Sequence, residues 1–440
     1  MTRRSRCSFA TVAVLLLAGC GSSTTSSPVS PPALGPCAGQ PPGCGTSSGT
    51  TAALAAGRWT TLPNAPLAGR ADDAVVWTGE QLLVWGGVRE ATSGVFADGA
   101  ALDPSPGRWQ MLPPSPLSAR EEPAAVWAGD QMIVWGGDDG GDQATRREYV
   151  DGAAYFPTTR TWRLLPAAPL EPRSGAAMFW TGSEVLVFGG LTPKRDLHQP
   201  VSATELLDGA IYDPGTRRWT SLPAYPQGAA GVPVGATVAW TGDQLIVWAT
   251  YEVWHISGSS ADMTNSRVVA SWTPGAAGWQ RIPAPPPTEP GALVYGAQPS
   301  WTGTRVILLG SSYCLPGEMS CPAPFPGGPS GWLYDPTTGQ RTTMAPDAVA
   351  ADIGPTAWTG QTLVVINDGG TIGGPNGTTI LRPGDGAAYD PATNSWITLP
   401  RGPILDLSDA NAVWTGTGVL VTAAPQGSDY EQAEALVAGA

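Results

Sequence analysis

The sequence predicts an all-β fold in which seven four-stranded blades surround a central axis as a β-propeller. A Trp-Thr-Gly-like element recurs seven times, 50 to 61 residues apart, and a short apolar run follows each copy. Helical periodicity is absent from these units, and four antiparallel strands in about fifty residues are typical of propeller blades and not of solenoids. The copies are centred on Trp77, Trp127, Trp180, Trp240, Trp301, Trp358 and Trp414.

Each unit contains two turns of predictable type. The first two strands flank a tight turn, and its glycine supplies the positive φ that a hairpin needs. The last two strands flank an Asp-Pro turn, as in Tyr212-Asp213-Pro214, and a Trp such as Trp219 follows the first aromatic by seven residues. In the fifth unit Tyr334 is followed at this distance by Arg341, so that blade is predicted to lack the second aromatic.

The N-terminus predicts export and lipid anchoring. Residues 1–19 have a basic start and an apolar core too short to span a bilayer, as signal peptides do. The sequence Leu17-Ala18-Gly19-Cys20 resembles a bacterial lipobox, so Cys20 is the expected lipidation site. An ordinary cleaved signal with a chance cysteine is the alternative. We expect the protein on the outer face of the bacterial cell membrane, bound to it only through the lipid.

Two further segments follow the signal. Residues 20–56 are rich in Ser, Thr, Pro and Gly, which predicts a flexible linker, and residues 57–440 form the propeller. The cysteine pairs Cys37/Cys44 and Cys314/Cys321 are each separated by six residues, and an oxidising compartment favours two local disulfides. A metal site built from these thiols is the alternative, which the lack of CxxC spacing disfavours. We expect no cofactor.

The two ends of the propeller region complement each other. The seventh unit contains Trp414 and an apolar run to Val421 but no recognisable Trp for a fourth strand. Residues 57–63 repeat a fourth strand that has no blade in front of it. We therefore expect the N-terminal strand to pair into the last blade and close the ring, which removes exposed sheet edges, and we expect a monomer.

The repeat resembles that of the kelch family. Gly-Gly pairs follow the second strand at Gly86-Gly87, Gly136-Gly137 and Gly189-Gly190, and the Tyr-Asp-Pro turn and the spaced Trp accompany them. The resemblance covers residues 57–440. It is sharp in the first three units and the sixth, and the Gly-Gly pair is missing from the fourth, fifth and seventh.

Strand parity places the long connections together on one surface, here called the long-loop face. The short Thr-Gly and Asp-Pro turns lie on the opposite face. The long connections are Val88–Asp98, Asp138–Val150, Leu191–Leu207, Thr250–Arg267, Ser311–Ser330 and Asn367–Asp385.

Three arginines are the main candidate ligand residues. Arg70, Arg120 and Arg173 each lie seven residues before the Trp of their unit. The kelch resemblance implies that this position lies near the mouth of the central channel, where some members bind acidic partners. The alternative is structural pairing with a nearby acid such as Asp72, Asp73, Glu121 or Glu122.

The two histidines of the chain, His198 and His255, fall in long loops of neighbouring units and complete the candidate ligand set. The acidic loop Asp138–Asp142 could hold calcium, although a solvated turn is the simpler interpretation. The 23 basic and 36 acidic residues give a formal charge of -13, which argues against a nucleic-acid partner.

Two functions stay open. The first is a binding scaffold for an envelope protein or glycan on the long-loop face. The second is a carbohydrate-active enzyme at the channel mouth, since the kelch family includes galactose oxidase and sialic-acid mutarotases. The copper site of the oxidase needs a set of His, Tyr and Cys that has no match here. If the protein is an enzyme, we expect a deep pocket where titratable groups with shifted pKa converge. If it is a binder, we expect a broad polar rim.

Overall fold

The computed structural model describes residues 11–16, 51–89, 94–141, 145–193, 203–226, 232–257, 260–283, 299–310, 330–345, 354–366, 371–373, 379–381, 386–402 and 410–423. These residues form an all-β propeller with one short helix. No helix in these ranges has the length and apolar character required to cross a membrane.

The first elements precede the blades: β1 (Thr11–Leu16), α1 (Thr51–Ala55) and β2 (Arg58–Thr61). Blade 1 contains β3 (Ala74–Trp77), β4 (Leu82–Trp85), a ribbon of β5 (Val88–Arg89) and β6 (Gly94–Val95), β7 (Gly99–Asp103) and β8 (Arg108–Met111). Blade 2 contains β9 (Ala124–Trp127), β10 (Met132–Trp135), β11 (Gly152–Phe156) and β12 (Thr161–Leu164). Blade 3 contains β13 (Ala177–Trp180), β14 (Val185–Phe188), a ribbon of β15 (Leu191–Pro193) and β16 (Ala203–Glu205), β17 (Gly209–Asp213) and β18 (Arg218–Ser221).

Blade 4 contains β19 (Val232–Trp240), β20 (Leu245–Ser257), β21 (Ser260–Trp272) and β22 (Gln280–Arg281). Blade 5 contains β23 (Ser300–Trp301), β24 (Val306–Gly310), β25 (Ser330–Tyr334) and β26 (Arg341–Thr343). Blade 6 contains β27 (Thr356–Trp358), β28 (Leu363–Ile366), a ribbon of β29 (Thr371–Gly373) and β30 (Thr379–Leu381), β31 (Gly386–Asp390) and β32 (Ser395–Thr398). The last two strands are β33 (Asn411–Trp414) and β34 (Val419–Ala423).

Six blades fold from consecutive strands, not the seven that the sequence predicts. A further sheet has the order β2-β1-β34-β33 and combines the two ends of the described chain. The N-terminal strand β2 joins the sheet of the last unit, as expected, but β1 lies between it and β34. This strand comes from the segment predicted to be the signal peptide. The last sheet takes strands from both ends of the described chain because, within the described residues, the seventh unit supplies only β33 and β34.

The second strand of each blade lies at the centre of the core. All four residues of β4, β10, β14 and β28 are buried, because neighbouring blades cover both faces of the sheet. The seven-residue spacing places the two aromatics opposite each other on the third and fourth strands. Tyr155 lies opposite Trp162, and Tyr212 lies opposite Trp219. The turn glycines have the positive φ predicted for them, as Gly79 at 102° and Gly182 at 102° do.

A repeated hydrogen bond joins each blade to the next. The indole N–H of the fourth-strand Trp donates to a backbone carbonyl at the end of the preceding unit, over 2.8 to 3.0 Å in five cases. Trp59 of β2 makes the same bond to the Pro400 carbonyl and so joins the composite sheet to blade 6. In blade 5, where Arg341 replaces the Trp, the Tyr334 hydroxyl donates to the Pro283 carbonyl instead. These pairs are Trp109 to Pro63, Trp162 to Pro113, Trp219 to Pro166, Trp279 to Pro223 and Trp396 to Ala345.

Two predicted irregular segments have regular structure. Residues Thr250–Arg267, predicted to be a loop, form most of a long hairpin in which β20 and β21 each have 13 residues. The helix α1 lies inside the predicted linker, and its Leu54 is fully buried against residues of blade 6 such as Val364. Packing therefore begins before residue 57.

Candidate functional site

The long-loop face of blades 1 to 3 is built three times from one local motif. In each blade the residue after the arginine forms a β-bridge with the residue after the Gly-Gly pair. These bridges are Ala71–Val88, Glu121–Asp138 and Ser174–Leu191. The second glycine is required because a Cβ on Gly87 would lie 2.5 Å from the Ala71 carbonyl oxygen. The motif fixes the backbone beside the channel mouth.

The three arginines fasten this motif from inside the protein. Arg70, Arg120 and Arg173 are 3%, 0% and 0% exposed. Each donates from Nε to the carbonyl two residues earlier and from Nη1 to the first glycine of the Gly-Gly pair. Each also pairs with an Asp just before the third strand, at 3.0, 3.0 and 2.6 Å. These partners are Asp98, Asp151 and Asp208, all about half exposed.

Aromatic rings cover two of the guanidinium groups. Arg70 stacks on Phe96 and Arg120 on Tyr149, both with 4.2 Å from Cζ to the ring centroid. Arg173 has two contacts to Asp208 instead, from Nη1 and from Nη2. The arrangement therefore joins three strands and two connections of each blade around one buried cation.

Backbone hydrogen bonds continue this motif from blade to blade around the channel mouth. The Glu122 N–H donates to the Asp72 carbonyl over 2.8 Å, and the Gly175 N–H donates to the Glu122 carbonyl over 3.1 Å. All three residues have positive φ, namely 52°, 49° and 64°. Left-handed backbone is uncommon for Asp and Glu, yet here the hydrogen bonds on both sides hold it. The backbones of Asp72 and Glu122 are thereby joined.

Five carboxyl groups gather on this part of the long-loop face, and we call them the acidic rim. Four of them lie just before the first strand of blade 1 or blade 2. The fifth lies in the connection that follows the Gly-Gly pair of blade 2. The charge of Asp72 raises the pKa of Asp73 and of Glu121, and the charge of Glu122 raises the pKa of Glu121 and of Asp138. Their members are Asp72, Asp73, Glu121, Glu122 and Asp138.

Glu121 and Asp138 form the inner part of the rim. Both are buried, and their backbones are joined by two hydrogen bonds of 3.0 Å. Burial, with the negative charge of Asp138, raises the pKa of Glu121 to about 7, and burial also raises the pKa of Asp138. Arg146 opposes both shifts, since its guanidinium lies 3.0 Å from Glu121 Oε1 and 3.3 Å from Asp138 Oδ1. The Arg146 cation is thus paired with two buried carboxyl groups.

Asp73 and Glu122 connect the rim to its neighbours. Burial raises the pKa of Asp73 to about 7, although Arg70 opposes the shift. Asn411 of the composite sheet donates to Asp73 over 3.3 Å, and Ser174 of blade 3 donates to Glu122 Oε2 over 2.9 Å. The acidic rim therefore extends from the composite sheet to blade 3.

Comparison with protein families identifies the repeat. Residues 53–264 match the family model described as the KLHDC2/KLHL20/DRC7 Kelch-repeats domain. Over these residues the chain is a kelch-repeat propeller.

Other comparisons are less specific. The kelch propeller is similar to the solved structure titled "Structure of YjhT", with 15% sequence identity and a TM-score of 0.48. That similarity covers 77% of this chain and 99% of the other. No curated protein sequence matches the chain.

The sequence-predicted site residues of the kelch propeller lie in two kinds of place. Arg70, Arg120 and Arg173 occupy equivalent positions beside the mouth, but their charged groups face partners inside the chain. Pairing with an acid was the alternative interpretation, although the acids are Asp98, Asp151 and Asp208 and not the ones suggested. Direct ligand contact by the arginines stays a prediction.

Several predicted positions lie outside the described residues or have undescribed side chains. His198 and the cysteines Cys20, Cys37, Cys44, Cys314 and Cys321 fall outside the described ranges. His255 lies in β20, opposite Asp262 of β21 in the backbone register. Within the described residues, no group of three or more His, Cys, Asp or Glu side chains is arranged to hold a metal ion.

The central channel contains a cavity of about 310 Å³. Its walls are the inner strands of the six blades and of the composite sheet, and they include six of the seven repeat tryptophans. The described residues that line it are apolar or uncharged, so the carboxyls with raised pKa lie on the rim and not in this cavity. This arrangement fits the broad polar rim expected of a binder.

Four acids of the acidic rim were expected only as partners of the arginines, and Asp138 only as part of a solvated or calcium-binding loop. The signal that could have found the rim is positional. Asp72 and Glu122 occupy the same place in consecutive units, two residues after the arginine, as do Ala71 and Glu121 one residue after it. Repeat symmetry brings equivalent positions together around the axis.

Proposed function

We propose that the protein is an exported, lipid-anchored scaffold of the cell envelope that binds a basic segment of a partner protein at the acidic rim. One observation carries the proposal: five carboxyls of blades 1 and 2 converge beside the channel mouth, held by a hydrogen-bonded backbone. A preorganised cluster of one charge sign attracts a ligand of the opposite sign and loses little entropy on binding.

The remaining charges support a cationic partner. The three arginines of this face are engaged by aspartates and backbone carbonyls, and Arg146 is engaged by Glu121 and Asp138. The formal charge of the whole chain is -13. Export and anchoring rest on the leader and on Cys20, and mass spectrometry of the native protein for a lipidated Cys20 tests them.

Binding of a fluorescent Lys/Arg-rich peptide by anisotropy tests the ligand class. We expect the double variant Asp72→Asn/Glu122→Gln to weaken binding by roughly tenfold, since each charge pair at an exposed site contributes up to about 1 kcal/mol. The matched control is Glu80→Gln/Asp130→Asn, which removes two exposed acids from the same blades on the opposite face.

The control should bind the peptide as the unchanged protein does, and binding should weaken with added salt. Equal affinity of the unchanged protein and the rim variant, or binding to a neutral glycan array but not to the peptide, would overturn the proposed ligand class. An Arg70/Arg120/Arg173 triple Ala variant that stays folded tests the predicted arginine anchors in the same assay.

A carbohydrate-active enzyme is the second candidate function. It is favoured by the raised pKa of Glu121 beside Asp138, since a carboxyl that is protonated near neutral pH can act as a general acid. Turnover of sialic acid or galactose derivatives that Glu121→Gln abolishes, with the fold intact, would support the enzyme.

A further inference from the structure

The composite sheet contains one strand that the exported protein would lose. β1 pairs with β2 on one side and with β34 on the other, antiparallel to both. Counted from β33, β1 is therefore the third strand of this sheet. In blades 1 to 6 the third strand is the one that follows the long connection. β1 lies upstream of Cys20, so the proposed export removes it.

Loss of β1 would leave two unpaired strand edges. Leu15 lies opposite Trp59 and Val14 opposite Leu420 in the present register, so both neighbours depend on this strand for backbone hydrogen bonds. Exposed edges of this kind invite pairing with another segment. The sheet also holds Trp59 in the hydrogen bond to Pro400 that joins it to blade 6.

The chain itself carries a suitable replacement. β34 ends at Ala423, and the sequence continues to Ala440 with residues 434–438 reading Glu-Ala-Leu-Val-Ala. The third strands of blades 1, 2, 3 and 6 read Gly-Ala-Ala-Leu-Asp, Gly-Ala-Ala-Tyr-Phe, Gly-Ala-Ile-Tyr-Asp and Gly-Ala-Ala-Tyr-Asp. The shared features are an alanine at the second position and apolar residues at the third and fourth.

We propose that residues 434–438 take the position of β1 once the leader is removed, so that leader and C-terminal segment compete for one place in the sheet. The inference rests on the proposed export. Residues 424–433 would form the connection, slightly shorter than residues 86–98 of blade 1. Val437 would then lie opposite Trp59, as Tyr155 lies opposite Trp162.

Four purified proteins test the competition: the full chain and a chain that starts at Gly21, each with and without residues 433–440. In the chain without the leader, we expect loss of residues 433–440 to lower the melting temperature by roughly 5 °C or more, since a whole strand loses its partners. In the full chain the same deletion should cost much less, because β1 fills the position. Equal costs in both chains, or no cost without the leader, would overturn the proposal.

Hydrogen exchange gives a second measure that does not require a chain without residues 433–440 to fold. In the chain that starts at Gly21, amides of residues 435–437 and of β2 should be protected, and Leu436→Asp should remove both protections. Ala440→Asp, beyond the segment, is the matched control. Fast exchange at residues 435–437 would also overturn the proposal. Neither assay requires lipidation, so failure of the export proposal is detected separately at Cys20.

Discussion

Arg120 illustrates how one side chain can hold the long-loop face together. Its guanidinium is fully buried, donates to the carbonyls of Ser118 and Gly136, pairs with Asp151 and stacks on Tyr149. Because Asp151 is about half exposed, water screens that ion pair and its contribution is small. The buried Gly136 carbonyl matters more, since it would lose this donor.

We therefore expect Arg120→Met to destabilise the protein by about 2 kcal/mol. Arg120→Lys should restore little, because an ammonium group cannot donate in two directions from one plane. Thermal unfolding followed by circular dichroism measures the change, and Arg108→Met, at an exposed residue, is the control. A melting temperature of Arg120→Met equal to that of the control would show that the buried cation does not hold the face.

Glu121 makes stability depend on pH in a definite direction. Its pKa is raised from the ordinary 4.5 to about 7, so the folded state binds a proton more tightly than the unfolded state does. The resulting stabilisation is complete below pH 4.5 and is lost as the pH rises through about 7.

We expect Glu121→Gln to reduce the fall in melting temperature between pH 5 and pH 7.5, two values chosen on either side of that pKa. Part of the fall should remain, because Asp73 and Glu205 also have pKa values raised to about 7 by burial. Melting curves of the unchanged protein and of Glu121→Gln at both pH values, at matched ionic strength, measure the difference in this fall. Identical pH dependence would mean that Glu121 is ionised throughout.

At the scale of elements, blade 5 replaces a missing aromatic with a different donor. Where Arg341 stands in place of the Trp, the Tyr334 hydroxyl reaches the Pro283 carbonyl. In blade 3 the indole of Trp219 already bonds the equivalent carbonyl, and within the described residues the Tyr212 hydroxyl is buried with no hydrogen-bond partner.

These two tyrosines therefore make a matched pair of substitutions. We expect Tyr334→Phe to cost about 1 kcal/mol, because it removes the hydrogen bond to the Pro283 carbonyl. Tyr212→Phe should be neutral or slightly stabilising, because it removes a hydroxyl that bonds nothing. Denaturant unfolding of both variants gives the comparison, and equal costs would contradict the assigned role of Tyr334.

The strands of each blade could be predicted because their residues repeat. Trp77, Gly79 and the apolar run to Trp85 define a hairpin wherever they recur. The long hairpin of β20 and β21 was missed, since residues 250–267 have no counterpart in the other units. β1 was missed for another reason: its apolar residues fit a signal peptide as well as a strand, and composition cannot separate the two.

At the scale of the whole molecule, the ring depends on the composite sheet. The fold class followed from the seven repeat tryptophans, and the unmatched fourth strand at residues 57–63 predicted that β2 joins the last sheet, but the repeat could not show that β1 lies between β2 and β34. The acidic rim was missed for a similar reason. Asp72 and Glu121 become neighbours only when blades 1 and 2 stand side by side.

The proposed function uses one side of the molecule, the side that carries the acidic rim. The long-loop face carries the carboxyl cluster, whereas the opposite face carries short turns such as residues 78–81 and 128–131. A ligand held by the rim must therefore protect one end of the channel and not the other.

Hydrogen exchange with and without the basic peptide tests this claim most directly. We expect slower exchange in residues 71–73, 121–122 and 138–141 and no change in residues 78–81 and 128–131. Protection of the short turns, or binding without protection of the rim, would contradict it.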